Sequence, residues 1–337
     1  MKRGNRLLLL AVAASALSLA CICFPGSMLE FLFATPAPTP GPLPRQEPAQ
    51  PSTETCDERL ADLLSDAEDT DAPGDELPME YTLITYAVDG DSITVYDEPH
   101  VPGSLDPYQQ DTARHQELWE FIADVVPADY RSQVVYFVIT TDGPSGSLGA
   151  VEQTDDPETW SLYMDIQDAG NFPDLATTLV HEIAHLFTLN TSQVATDWSV
   201  FNDPDNHDAY ERGDDACDTY FMFEGCSYPD SYINLFFERY WQEIYPEWLE
   251  ISYEEDEETF ENLIEDFYSR YPDQFVSDYA ATSPEEDIAE SFMYFVLAPR
   301  PAGETIAEEK ILFFYEFPEL TALREAMRAA LCPYLTP

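Results

Sequence analysis

Residues 181–185 read His-Glu-Ile-Ala-His, and 101 residues beyond His185 the chain reads Glu286-Asp-Ile-Ala-Glu290. On a helix, positions i and i+4 share a face, so His181 and His185 can offer two imidazole nitrogens to one ion. Imidazole suits zinc, and two histidines a turn apart with a glutamate beside the first point to metal-assisted hydrolysis. Glu182 would take a proton from the attacking water and later return one to a leaving amine. The third ligand has to come from another part of the chain. Glu285, Glu286, Asp287 and Glu290 are the candidates. Glu286 and Glu290 share a helical face that continues to Met293 and Leu297, so that face points inward. One of the two would ligate, and the other would accept a ring N–H from a ligating histidine and fix its tautomer. Glu286 as ligand with Glu290 as orienting group is the first choice, and the reverse stays open. Glu285 and Asp287 read as solvated.

The elements that must hold these groups follow from hydrophobic pattern. Strands are expected at Tyr81–Val88 and Ser92–Tyr96, around the turn Asp89-Gly90-Asp91. A helix is expected over Asp106–Val126. The strongest strand signal is Arg131–Thr140, rich in β-branched and aromatic residues. Leu148–Glu152 and Thr159–Ile166 read as further strands, and Pro173–Leu189 as the helix bearing the two histidines, with Pro173 and Asp174 suited to its first turn. Residues 190–229 read as irregular and acidic. Helices follow at Ser231–Tyr245, Glu257–Tyr271, Pro284–Leu297, Thr305–Phe314 and Pro318–Leu331. A sheet first and helices afterwards is an α+β arrangement: a small mixed sheet packed on the histidine helix, then a mostly helical second half.

The stretch from Tyr279 through Glu286 to Glu290, taken with His181-Glu-Ile-Ala-His185, resembles the gluzincin clan of zinc metallopeptidases. In particular it resembles the catalytic domain of anthrax lethal factor and its bacterial relatives. In that group the third zinc ligand follows an active-site tyrosine by seven residues, the separation of Tyr279 and Glu286. The resemblance implies a zincin-like fold, zinc on His181, His185 and Glu286, and Glu182 as general base. It further implies Glu290 as the supporting carboxylate and Tyr279 as hydrogen-bond donor to the oxyanion. It also implies that extended substrate pairs with an edge strand, for which Thr159–Ile166 is the candidate. It covers about residues 130–298 and is dense only at the two short segments. The chain departs from compact relatives in the length between His185 and Glu286. No third histidine follows at the metzincin spacing, since Leu189-Asn190 stands there; His207, in an Asp/Asn-rich loop, is the one histidine that could restore such a set.

Composition sets the surroundings. Residues 1–23 combine Lys2, Arg3 and Arg6 with an apolar run, the pattern of a signal peptide, a lipoprotein signal or a membrane anchor. Residues 24–55 form a proline-rich spacer, so the catalytic domain is expected at 56–337, with an acidic insert at about 190–256. The location expected is extracytoplasmic, secreted or tethered to the outer face of the cell membrane. There Cys217 would pair with Cys226, and Cys56 with Cys332. Acidic residues number 66 against 14 basic ones, a formal charge of −52 that argues against nucleic acid as partner. Asp203, Asp205, Asp208, Asp214, Asp215 and Asp218 could offer oxygens to Ca2+, although they do not follow the EF-hand order. The dense aromatics of residues 232–253 are expected to pack inside.

The function expected is therefore zinc-dependent peptide-bond hydrolysis by an exported metalloendopeptidase, with a peptide or protein as substrate. The alternative is a catalytically inactive zincin-like binding module at the cell surface. Such a module would usually have lost Glu182 or a ligand, and this chain keeps them all.

Overall fold

A computed structural model describes residues 55–67 and 79–335, apart from 145, 205 and 255. The leader and spacer expected at 1–23 and 24–55 lie outside the described residues.

In chain order, α1 (Cys56–Ala67) leads to the hairpin β1 (Tyr81–Asp89) and β2 (Ser92–Asp97). Gly90 turns that hairpin at φ 60°, a conformation that favours glycine. The helix expected over Asp106–Val126 is two: α2 (Asp106–Gln109) and α3 (Thr112–Val125). Asp111 breaks it, because its side chain accepts the Arg114 N–H and so starts a new helix. Strands β3 (Val134–Thr141), β4 (Gly149–Gln153) and β5 (Trp160–Asp165) come next, then α4 (Phe172–Thr188).

The stretch 190–229, expected to be irregular, contains structure. It holds β6 (Val194–Thr196), α5 (Trp198–Phe201), α6 (His207–Ala216), β7 (Phe221–Met222) and β8 (Gly225–Ser227). The helix expected over Ser231–Tyr245 is again two, α7 (Tyr232–Tyr240) and α8 (Tyr245–Ile251), with Pro246 in the first turn of α8. Then follow α9 (Glu257–Arg270), α10 (Pro284–Leu297), α11 (Ile306–Phe313) and α12 (Pro318–Leu331).

Two compact units divide these elements. The sheet unit holds the described residues up to Phe187, with Phe292–Ala302 and the chain from Ile311 onward. Its five strands run in the order β2-β1-β3-β5-β4, and only β3 and β5 are parallel. Both are buried along most of their length, as parallel strands covered on both faces are. From α3, Leu118, Trp119, Phe121, Ile122 and Val125 enter the core, where Trp119 meets Phe137 of β3 at 5.2 Å between ring centres. At its far end, Arg324 and Arg328 of α12 donate to the carbonyls of Phe295, Val296 and Leu297. These guanidinium groups satisfy carbonyls left open at the end of α10 and complement the negative end of its dipole. A disulfide from Cys56 to Cys332 ties α1 to the segment after α12.

The helical unit holds Thr188–Ser291 and Gly303–Lys310. It carries the second sheet, β6-β8-β7, closed by the Cys217–Cys226 disulfide. Most of the aromatics expected to pack inside do so, while Tyr253 is exposed. Tyr220 stacks on Phe237 at 4.1 Å, and Trp241 is fully buried beside Phe267 and Phe275.

The observed class is therefore α+β with a small mixed sheet and many helices. Both expected disulfides are present, which fits an oxidising compartment. Among the described residues no helix is long and apolar enough to cross a membrane.

Candidate metal centre

The two histidines stand on α4, a deeply packed helix of the sheet unit. Leu175, Ala176, Leu179, Val180, Ile183, Ala184 and Leu186 are all fully buried. With core on nearly every side, this helix has little freedom to rotate. Its start is set by Asn171, which donates to Asp174 in the first turn, and at its other end Gln133 donates to the Leu186 carbonyl. His181, Glu182 and His185 are each less than a tenth exposed.

The Nε2 atoms of His181 and His185 lie 3.1 Å apart, with the rings at 73° to each other. Histidine binds zinc at about 2.0–2.1 Å, so an ion equidistant from two nitrogens 3.1 Å apart would subtend an angle of about 98°. That lies near the tetrahedral value, so the separation of the two nitrogens is compatible with one zinc ion between them.

Glu286, Glu290 and Tyr279 belong to the helical unit. Tyr279 opens a 3-10 turn, Tyr279–Ala281, capped by the Asp278 carboxylate. Ser283 then accepts the Glu286 backbone N–H with its hydroxyl and starts α10. Glu290 accepts a hydrogen bond from Ser277 Oγ at 2.6 Å. Glu286 is half-buried in the first turn, between two residues that are firmly held.

Those two neighbours overturn an expectation. Asp287 and Glu285 read as solvated, and neither is. Asp287 is wholly buried, and its Oδ2 accepts from Lys310 Nζ at 2.5 Å and from Trp241 Nε1 at 2.7 Å. Glu285 accepts from the Tyr220 hydroxyl at 2.8 Å, and burial raises its carboxyl above the usual range. Sequence reading missed both because the partners lie 23, 46 and 65 residues away. One signal was available: Lys310 is the only lysine after Lys2, and it sits beside the apolar run Ile311–Phe314.

The edge strand also needs correction. Thr159–Ile166 was the expected edge, but β5 is paired on both sides, with β3 and with β4. The edge on that side of the sheet is β4, antiparallel to β5. It lies against α4, since a Cβ on Gly149 would meet Thr178 Cγ2 at 3.0 Å, and Thr178 is three residues before His181. The crossover from β3 to β4 passes the end of β5. There Asp165 accepts the Asp142 N–H, and Asp142 accepts the Ser147 N–H.

This crossover gathers Asp142, Asp165 and Asp168, one carboxylate oxygen from each lying within 4.8 Å of the others. Burial, and then the charge of Asp168, push Asp165 up to about 8; burial, and then Asp142, push Asp168 up to about 7. Acids with raised pKa values in the folded state stabilise most below their unfolded pKa, near 4, and that stability is lost as pH rises through about 7–8. With chelator present, the melting temperature should therefore fall between pH 5 and pH 8.5. Asp168→Asn, which removes one of the repelling charges, should flatten that fall and add roughly 1–2 kcal/mol at pH 8.5. Equal losses in the variant and the parent, followed by differential scanning fluorimetry, would refute this account of the cluster.

The aspartates considered for calcium lie on and around α6: Asp208, Asp214 and Asp215 within it, Asp203 before it and Asp218 after it. His207 opens the same helix, in the helical unit. Set against known protein families, characterised proteins and solved structures, the chain matches none.

Proposed function

We propose that the protein is an exported zinc metallopeptidase in which His181, His185 and Glu286 hold the ion. The observation that carries the reading is the 3.1 Å separation of two buried imidazole nitrogens on a helix packed on nearly every side. A His-His-carboxylate donor set with one position left for water or substrate is that of a catalytic zinc site. The resemblance at Tyr279, Glu286 and Glu290 supplies the third ligand. A ring contact inside the sheet unit supports it: Phe187, two residues after His185, packs on Phe292, two residues after Glu290, at 4.9 Å.

Zinc, when bound, supplies Lewis acidity toward a water and a peptide carbonyl. The rest falls to the chain. Glu182, adjacent in sequence to His181, accepts the proton of the attacking water and delivers one to the departing amine nitrogen. Tyr279 donates its hydroxyl to the carbonyl oxygen as negative charge develops there. Glu290 holds a histidine ligand in its working tautomer and is itself steadied by Ser277. An extended peptide adds to the outer edge of β4, whose backbone pairs with it. The zincin-like fold, the proteolytic activity and the tether all belong to this proposal.

Chelation tests it. Hydrolysis of an unfolded protein substrate should be lost in a chelator and restored by a stoichiometric amount of zinc. Hydrolysis that persists at full rate after the metal has been stripped would remove the basis of the reading.

A further inference from the structure

We propose that Lys310 and Asp287 are positioning residues whose buried ion pair fixes the rotation of α10 and thereby the aim of Glu286. The inference rests on the zinc reading of the site.

Lys310 Nζ and Asp287 Oδ2 are 2.5 Å apart, and both side chains are fully buried. The ammonium lies 4.3 Å from the ring centre of Phe275, with Phe236 and Trp241 within 6 Å. The carboxylate is held on both oxygens, Oδ2 by Lys310 and Trp241, and Oδ1 by the Ser291 hydroxyl at 3.4 Å. The donors come from α11, from the residue after α7, and from α10 itself. The chain has an acid excess of 52 and one lysine beyond its leader, and it keeps that lysine out of water.

A pair of this kind contributes little net stability, because desolvation of two charges offsets their attraction; apolar residues of similar volume often do as well. What it adds is direction. A carboxylate that accepts two donors at fixed points tolerates far less rotation than a leucine in the same space. Glu286 is the preceding residue, about 100° around the helix. Its carboxylate would stand roughly 6 Å from the helix axis, so a 10° turn of α10 moves it by about 1 Å. A zinc ligand tolerates only about 0.2 Å of departure in distance. On the other side of Glu286, Tyr220 holds Glu285, so the ligand lies between two restrained neighbours.

The test compares the wild type with the double variant Asp287→Leu/Lys310→Met and with Glu286→Gln. Zinc affinity is read by competition with a chromophoric chelator, folding by melting temperature, and ligand geometry by the visible spectrum of the Co2+-loaded protein. Positioning predicts that the double variant melts at or above the wild-type temperature. It also predicts zinc binding about 10–100-fold weaker and a shifted cobalt spectrum, the scale seen when outer-shell partners of a ligand are lost. A double variant with wild-type affinity and spectrum overturns the inference while leaving the zinc site standing. One that fails to fold assigns the pair to the core and overturns it as well. If the wild type binds no zinc, or Glu286→Gln binds it as tightly, the reading of the site fails and the inference falls with it.

Discussion

Glu182→Gln is expected to lower peptide hydrolysis by about 10²–10⁴-fold while zinc remains bound at wild-type stoichiometry. Glutamine preserves the shape and the hydrogen-bonding reach of the side chain but cannot accept the water's proton. Glu182 lies on a helix packed on nearly every side, so the substitution has no loop through which to relax. KM should change little, because the carboxylate acts on the water and not on the peptide's ground state. Substrate turnover and metal content measured on the same preparation separate the two effects. An active Glu182→Gln enzyme would show that another group is the base, and a metal-free one would show that Glu182 serves the ligands instead.

The second large effect is on the metal itself. His185→Ala should reduce zinc affinity by roughly 10²–10³-fold. Four-ligand zinc sites bind with about 10–16 kcal/mol at neutral pH, so one ligand carries roughly 2.5–4 kcal/mol. His181→Ala should lower affinity on the same scale, because each imidazole would supply one nitrogen to the ion. The dependence on pH has a definite sign. Imidazole ligates only when neutral, so acidification weakens binding, by up to about tenfold per pH unit for each histidine ligand. Calorimetric titration of zinc into the two variants checks this. Affinity unchanged in either variant would place the ion elsewhere.

The parts of the molecule legible in the sequence are those fixed by local chemistry. The bounds of α10 and α12 are as expected, because Pro284 and Pro318 open them and apolar runs carry them on. The disulfide pairs were legible because, of the four cysteines from Cys56 onward, two lie nine residues apart and two lie at opposite ends. The small sheet within 190–229 was not legible. Its strands are two or three residues long, too short for any period, and a disulfide closes it where a longer ladder would otherwise be needed. The place of β5 in the sheet depends on strand order, which no single strand encodes.

The candidate site divides the same way. The spacing of His181 and His185 states their convergence, because a helix converts four residues into one shared face. The supports of α10 are long-range. Nothing near Asp287 announces Trp241 or Lys310, and its charged neighbours suggested solvent. An acidic residue amid Glu285, Glu286 and Asp287 reads as surface until its partners are known, and here two of the three are anchors.

Diffraction from zinc-loaded crystals at the zinc absorption edge tests the central claim most directly. The account predicts one anomalous peak at about 2.0–2.1 Å from Nε2 of both His181 and His185, and about 2.0–2.2 Å from a carboxylate oxygen of Glu286. Fully occupied zinc at any other position, with nothing between the two histidines, would contradict it.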